Sequence, residues 1–137
     1  MLRFKVFILA AGSALVLAAC SSSLLHTPSV SQMPPAINAN GVMVAADSLM
    51  TLYTYAGDGL EQSACVDACA EIWQPLLANG SDTSRGDFSV FSRSDGRWQW
   101  ALMGKPLYVW ADEVSPGDIG GEAANTQWRA YRVASKK

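Results

Sequence analysis

The chain has 137 residues, half of them hydrophobic, and a formal net charge of −2 at neutral pH, enough for one folded domain beside whatever processing removes. A mildly acidic balance leaves no electrostatic footprint for nucleic acid and no basic patch for anionic lipid. The single histidine, His26, excludes catalytic pairs that need a framework imidazole and a histidine-rich zinc site.

Arg3 and Lys5 precede an apolar run, Val6 to Val16, that is too short and wrongly flanked to span a membrane. Leu17-Ala18-Ala19-Cys20 then resembles the lipobox of bacterial lipoproteins. Residues 1–19 are therefore expected to be a cleaved signal peptide, with Cys20 lipidated. Acyl chains, at about 0.8 kcal/mol per buried methylene, anchor a protein durably when two or more are present. The expected location is the bacterial cell envelope, with membrane attachment through the N-terminal lipid. Ser21 permits export to an outer membrane, facing the periplasm, if the cell is Gram-negative. Removing residues 1–19 takes away Arg3 and Lys5 and no acid, so the charge moves from −2 to −4.

Residues 20–40 are rich in serine, proline and asparagine without helical or strand periodicity, and read as a flexible tether. Its reach on coil scaling is about 25 Å. His26 lies in this leash.

Residues 41–137 read as one globular domain. Val42–Ala45 and Leu49–Tyr55 are strand candidates around a turn at Ala46-Asp47-Ser48, and apolar residues on both faces of the second predict a central strand. Ala56-Gly57-Asp58-Gly59 breaks it. Asp58 and Glu61 have capping-box spacing, and a helix is predicted from about Gln62 to Trp73, stopped by Pro75. Asn79–Asp87 is a polar loop, and Phe88–Arg93 and Trp98–Met103 form a hairpin around Asp95-Gly96, predicted as a type I′ turn. Pro106–Trp110 is a further strand, 111–127 an acidic loop, and Trp128–Val133 the closing strand. The fold class is mainly β or α+β: a small antiparallel sheet domain with one short helix and two pseudo-repeats. The repeats centre on Leu52-Tyr53-Thr54-Tyr55-Ala56-Gly57-Asp58 and Leu107-Tyr108-Val109-Trp110-Ala111-Asp112-Glu113.

Those two stretches resemble a bacterial family of secreted-repeat lipoproteins, marked by Tyr-x-aromatic-x-x-Asp. Tyr53, Tyr55 and Asp58 match it, as do Cys65, Cys69, Ala70, Trp73, Pro75 and Leu76 in a Cys-x-x-x-Cys-Ala-x-x-Trp-Pro-Pro-Leu stretch where Gln74 replaces one proline. Gln99-Trp100, Gly104-Lys105-Pro106-Leu107-Tyr108, Pro116-Gly117-Asp118 and Trp128 match the second half. In the second motif Tyr108 and Trp110 match, and Glu113 stands where aspartate is usual. The resemblance implies an envelope lipoprotein and no particular activity.

Three groups could carry chemistry. Cys65 and Cys69, exported, are expected to form a disulfide in an oxidising compartment. On a regular helix their directions suit one poorly, so a distorted turn is required. A redox-active pair or a Cu(I) site is the alternative. Trp98, Trp100 and Trp110 could form a platform for a sugar or cell-wall fragment, against a core role for the aromatics. Asp58 reads as a turn or helix cap. Asp112, Glu113, Asp118 and Glu122 read as a solvated loop rather than a calcium site. Asp58 and Glu113 together could supply a carboxylate pair, though nothing in the sequence brings them to one cleft. No cofactor or metal is implied. The expected function is a lipid-anchored binding or structural module, not an enzyme, whose partner is an envelope protein or cell-wall ligand.

Overall fold

The computed structural model describes residues 33–134. The signal peptide, Cys20 and the tether through residue 32, with His26, lie outside the described residues, as do residues 135–137. The chain runs β1 Ala36–Ala39, β2 Val42–Ala45, β3 Leu52–Tyr55, α1 Ala68–Ile72, β4 Trp73–Pro75 and β5 Phe88–Ser92. It continues with β6 Trp98–Leu102, β7 Lys105–Pro106, β8 Tyr108–Trp110, α2 Gly121–Ala124 and β9 Trp128–Ala130.

The central antiparallel sheet has the order β4-β8-β3-β9. Its two inner strands are the two Leu-Tyr strands, and Tyr53 lies directly opposite Tyr108 in their register. Each then pairs outward with the closing strand of the other repeat: Tyr55 is opposite Trp128, and Trp73 is opposite Trp110. The separation of Tyr53 from Tyr108 equals that of Trp73 from Trp128, so an approximate twofold axis passes between the tyrosines. The repeats interleave rather than stand side by side.

Strand alternation divides this sheet into two differently used faces. One carries Leu52 and Leu107, which pack with Ala36, Met43, Ala45 and Leu102 from the β1–β2 hairpin and the β5-β6-β7 sheet. The other carries Tyr53, Tyr108, Trp73, Trp128 and Ala130, packed with Cys65. Both faces are apolar because both are covered, as the composition of Leu49–Tyr55 predicts.

Several expectations are corrected. Ala36–Ala39, assigned to the tether on composition, form β1. The turn that pairs them with β2 is Asn40-Gly41, with φ of 52° and 90°, a pair of positive angles suited to a two-residue hairpin. At Asp95-Gly96 only Gly96 is left-handed, at φ 81°, and the Arg93 and Arg97 backbones pair across a three-residue loop instead of a type I′ turn. The helix expected over 62–73 shrinks to Ala68–Ile72. Glu61 and Asp67 both sit at φ 52°, which interrupts helical hydrogen bonding on each side of Cys65. Trp73 leaves the helix to become a strand residue because its ring is buried against the sheet. Asp58 caps no helix, and the Asp58/Glu61 capping box does not form. The acidic loop 111–127 contains a second short helix, α2.

Candidate functional site

The two motifs hold each other crosswise. Tyr53 Oη of the first repeat donates to Glu113 Oε2 of the second at 2.5 Å. Tyr108 Oη of the second donates to Asp58 Oδ2 of the first at 2.8 Å. The remaining oxygen of each acid accepts a backbone N–H in the loop that follows its own strand: Ala64 N donates to Asp58 Oδ1 at 2.8 Å, and Gly120 N to Glu113 Oε1 at 2.9 Å. Gly121 N–H further donates to Tyr53 Oη at 3.2 Å. Each acid therefore pins a covering loop to the opposite repeat's tyrosine. Glu113 is buried, contrary to the solvated reading of its loop. Glu113, one methylene longer than Asp58, makes the equivalent contact in the second repeat.

Burial, reinforced by the Glu113 hydrogen bond, raises the Tyr53 hydroxyl pKa well above the ordinary tyrosine range. Burial does the same at Tyr108, aided by Asp58. Asp58 is also raised by burial, against the lowering effect of the Ala64 N–H and the Tyr108 hydroxyl. Burial is the first cause of all three shifts, and Asp58, half-buried, remains the one of the three that also lines a groove.

Above the tyrosines the aromatics form a continuous stack. Tyr55 lies on Trp128 at 4.7 Å between ring centroids, Trp128 on Trp73 at 4.0 Å, and Trp73 on Trp110 at 6.0 Å. Tyr53 meets Trp73 edge-on at 5.4 Å, and Tyr108 meets Trp128 edge-on at 4.9 Å. The order obeys the pseudo-twofold: equivalent tryptophans at the centre, equivalent motif aromatics outside. Edge-to-face and offset pairs of this kind add about 0.5–1.5 kcal/mol each beyond area burial. The proposed Trp98–Trp100–Trp110 row is not assembled. Trp110 ends this stack, Trp100 is 3% exposed and Trp98 is 48% exposed at the start of β6.

Cys65 and Cys69 are disulfide-bonded, with Cα atoms 5.2 Å apart. The bridge ties the irregular turn at Cys65 to Cys69 in the first turn of α1, across the reversal at Asp67, rather than lying along one helix face, as the poor geometry of a regular helix requires. Cys65 is fully buried and Cys69 partly so. The Cys65 carbonyl accepts from Arg93 Nη2 at 2.8 Å. Arg93 is buried and reaches Gln99 Oε1 at 2.6 Å and Ser63 Oγ at 2.9 Å, while Asp95 neutralises it at 3.0 Å. Ser63 Oγ lies 2.7 Å from Tyr108 Oη, so the network joins the disulfide turn to the Asp58 pair. Sequence reasoning missed the role of Arg93, which only the rarity of arginine beside an apolar strand could have flagged, and it singled out Gln99 by resemblance without assigning it a contact.

A groove of about 580 Å³ opens beside the Tyr55 end of β3, lined among others by Tyr55, Asp58, Lys105, Thr126, Gln127 and Arg129. Asp58 and Glu113 do not share it, because Glu113 is taken up by Tyr53 in the interior. Among the described residues no group of three or more histidine, cysteine or acidic side chains is placed to hold a metal ion. Asp112, Glu113, Asp118 and Glu122 do not converge. Glu122 instead pairs with Arg132 at 2.5 Å.

Fold and site define a two-repeat β module whose repeats close on each other through tyrosine–acid pairs. A family model described as a secreted repeat of unknown function matches residues 36–77 and 89–131, more than half of the chain. The protein belongs to that secreted-repeat family. No curated protein and no solved structure matches the chain.

Proposed function

We propose that the protein is a lipid-anchored envelope module that binds a ligand or partner, or serves a structural role, without catalysis. The crossed tyrosine–acid pairs carry this reading. Asp58 and Glu113 are each held by a buried tyrosine and a backbone N–H; Glu113 is buried, and Asp58, although it lines the groove, has both carboxylate oxygens engaged in closing the domain. A carboxylate that serves as a general acid or base must reach a substrate proton. Membership in a secreted-repeat family, and the Leu17-Ala18-Ala19-Cys20 lipobox, support placement at the envelope through acyl groups on Cys20. Among the described residues no helix is long and apolar enough to cross a membrane.

The test is fractionation of cells that express the protein or its Cys20→Ser variant. The unaltered protein is expected in the membrane fraction, with an N-terminal peptide mass increased by the lipid, and the variant in the soluble fraction. Recovery of both in the soluble fraction refutes the anchor. Release of fragments from purified cell wall by the protein refutes the non-catalytic part. A redox or copper-handling role for Cys65 and Cys69 is the second reading, favoured by the partial exposure of Cys69. Ready reduction of the bridge by a mild thiol, or stoichiometric Cu(I) binding after reduction, would support it.

A further inference from the structure

We propose that the groove beside Tyr55 binds a small ring-bearing oxyanion, a sugar or aromatic ring carrying a carboxylate or phosphate, through Lys105 and Arg129. The inference deepens the binding-module reading above and rests on it. Its strongest support is a control built into the chain. The pseudo-twofold that exchanges Tyr53 with Tyr108 also exchanges Tyr55 with Trp110, Arg129 with Gln74 and Lys105 with Met50. A second groove, of about 440 Å³, is lined by those partners, Met50, Gln74 and Trp110. The same scaffold position is thus cationic in one repeat and neutral in the other. The fold closes with methionine and glutamine there, so it does not require lysine and arginine.

The two cations are only lightly engaged elsewhere: Arg129 contributes to the positive charge that lowers the Glu122 carboxyl, without pairing with it. Among the described residues neither Lys105 nor Arg129 forms an ion pair, and Glu122 pairs with Arg132 instead. Arg129 makes one internal contact, from Nη1 to the Trp128 carbonyl at 2.9 Å. A guanidinium keeps further N–H donors free for an oxyanion after one such bond. Asp58, the acid in the lining, is occupied by Ala64 N–H and the Tyr108 hydroxyl, which leaves two cations against one engaged carboxylate. Tyr55, half-buried and backed by Trp128, offers ring surface, and Thr126 and Gln127 offer hydrogen-bonding groups. The volume suits a ligand of one or two rings.

The experiment is calorimetric and saturation-transfer titration of the purified full-length protein in mild detergent. The probes are N-acetylmuramic acid, N-acetylglucosamine 6-phosphate and neutral N-acetylglucosamine. At least one charged probe is expected to bind about ten-fold or more tighter than the neutral sugar, a gap of about 1.4 kcal/mol, and to weaken with added salt. Which charged probe binds separates carboxylate from phosphate. The Lys105→Met/Arg129→Gln variant, which copies the other groove, is expected to lose the preference while keeping its unfolding midpoint. Lys105→Met alone gives the same readout should the double variant fail to fold. Equal binding of the neutral sugar, no binding of either charged probe, or an unchanged preference in the variants overturns the proposal. Chemical conversion of a bound probe would instead overturn the non-catalytic reading and leave the groove assignment standing.

Discussion

If the repeats close crosswise, energetic coupling must run between motifs and not within them. Tyr53→Phe deletes a hydroxyl that donates to buried Glu113 and accepts from Gly121 N–H. A hydrogen bond to a charged group is worth about 1.5–3 kcal/mol and a neutral one about 0.5–1.5. The expected loss is therefore about 2–4 kcal/mol, a large share of the stability of a domain of this size. Glu113→Ala should cost a comparable amount. The double variant should cost less than the sum, with a coupling of about 1–3 kcal/mol. Tyr108→Phe with Asp58→Ala should behave alike. The same-motif combinations, Tyr53→Phe with Asp58→Ala and Tyr108→Phe with Glu113→Ala, should add to within about 0.5 kcal/mol. Urea unfolding followed by the fluorescence of the five tryptophans gives each value, and the stacked Trp73–Trp128 pair makes the signal sensitive to closure of the sheet. Stronger coupling within motifs than between them would show that the crossed arrangement is wrong.

Other outcomes follow from the same geometry. Expressed alone, residues 36–86 should lack a stable fold or self-associate, because β3 loses both its neighbours and β4 its only one; sedimentation and near-ultraviolet circular dichroism check this. The hydroxyls of Tyr53 and Tyr108 have raised pKa values when folded, so the stability they contribute is complete below the ordinary tyrosine pKa of about 10 and is lost as pH rises beyond it. The loss approaches about 1.4 kcal/mol per pH unit for each tyrosine, and unfolding midpoints at pH 9 to 11 that did not fall would contradict it. Replacing Cys65 and Cys69 with alanine should lower stability by about 2 kcal/mol on the loop-entropy estimate for so short a ring, read from denaturant midpoints. A Cβ at Gly121 would stand 2.8 Å from Tyr53 Cζ and 2.9 Å from Trp73 Cη2, so Gly121→Ala should destabilise by about 1–3 kcal/mol with a shift in tryptophan emission.

What could be read from the residues was what local composition decides. Leu52-Tyr53-Thr54-Tyr55 is apolar on both faces, and a strand covered on both sides follows from that alone. Partner choice does not. Nothing in Tyr55 or Trp128 states that the first repeat's strand pairs with the second repeat's end, because the pairing comes from the interleaved topology. Glu113 was misjudged for a related reason. An acid among Asp112, Asp118 and Glu122 looks solvated until a tyrosine from the other repeat is placed beside it. The repeated spacing from Tyr53 to Asp58 and from Tyr108 to Glu113 was the available clue. Around Cys65 the spacing of Cys65, Cys69 and Trp73 imitated a helix face, while the backbone reversals at Glu61 and Asp67 were invisible in residue type. The Asn40-Gly41 hairpin was legible and was outweighed by the serine- and proline-rich stretch before it.

The interleaving also separates the residues that a repeat must keep from those it is free to vary. Tyr53, Tyr108, Asp58, Glu113, Trp73 and Trp128 each contact the opposite repeat or the stack between repeats, so a change in one must be absorbed by its partner across the axis. The groove positions carry no such obligation, as Lys105 against Met50 and Arg129 against Gln74 demonstrate within one molecule. The tyrosine–acid motif is therefore the part of this molecule least free to change. The two grooves that flank the axis are built on one frame and filled with different chemistry. On the binding proposal above, specificity would belong to the lining of a groove, with the twin tyrosine strands holding that lining in place.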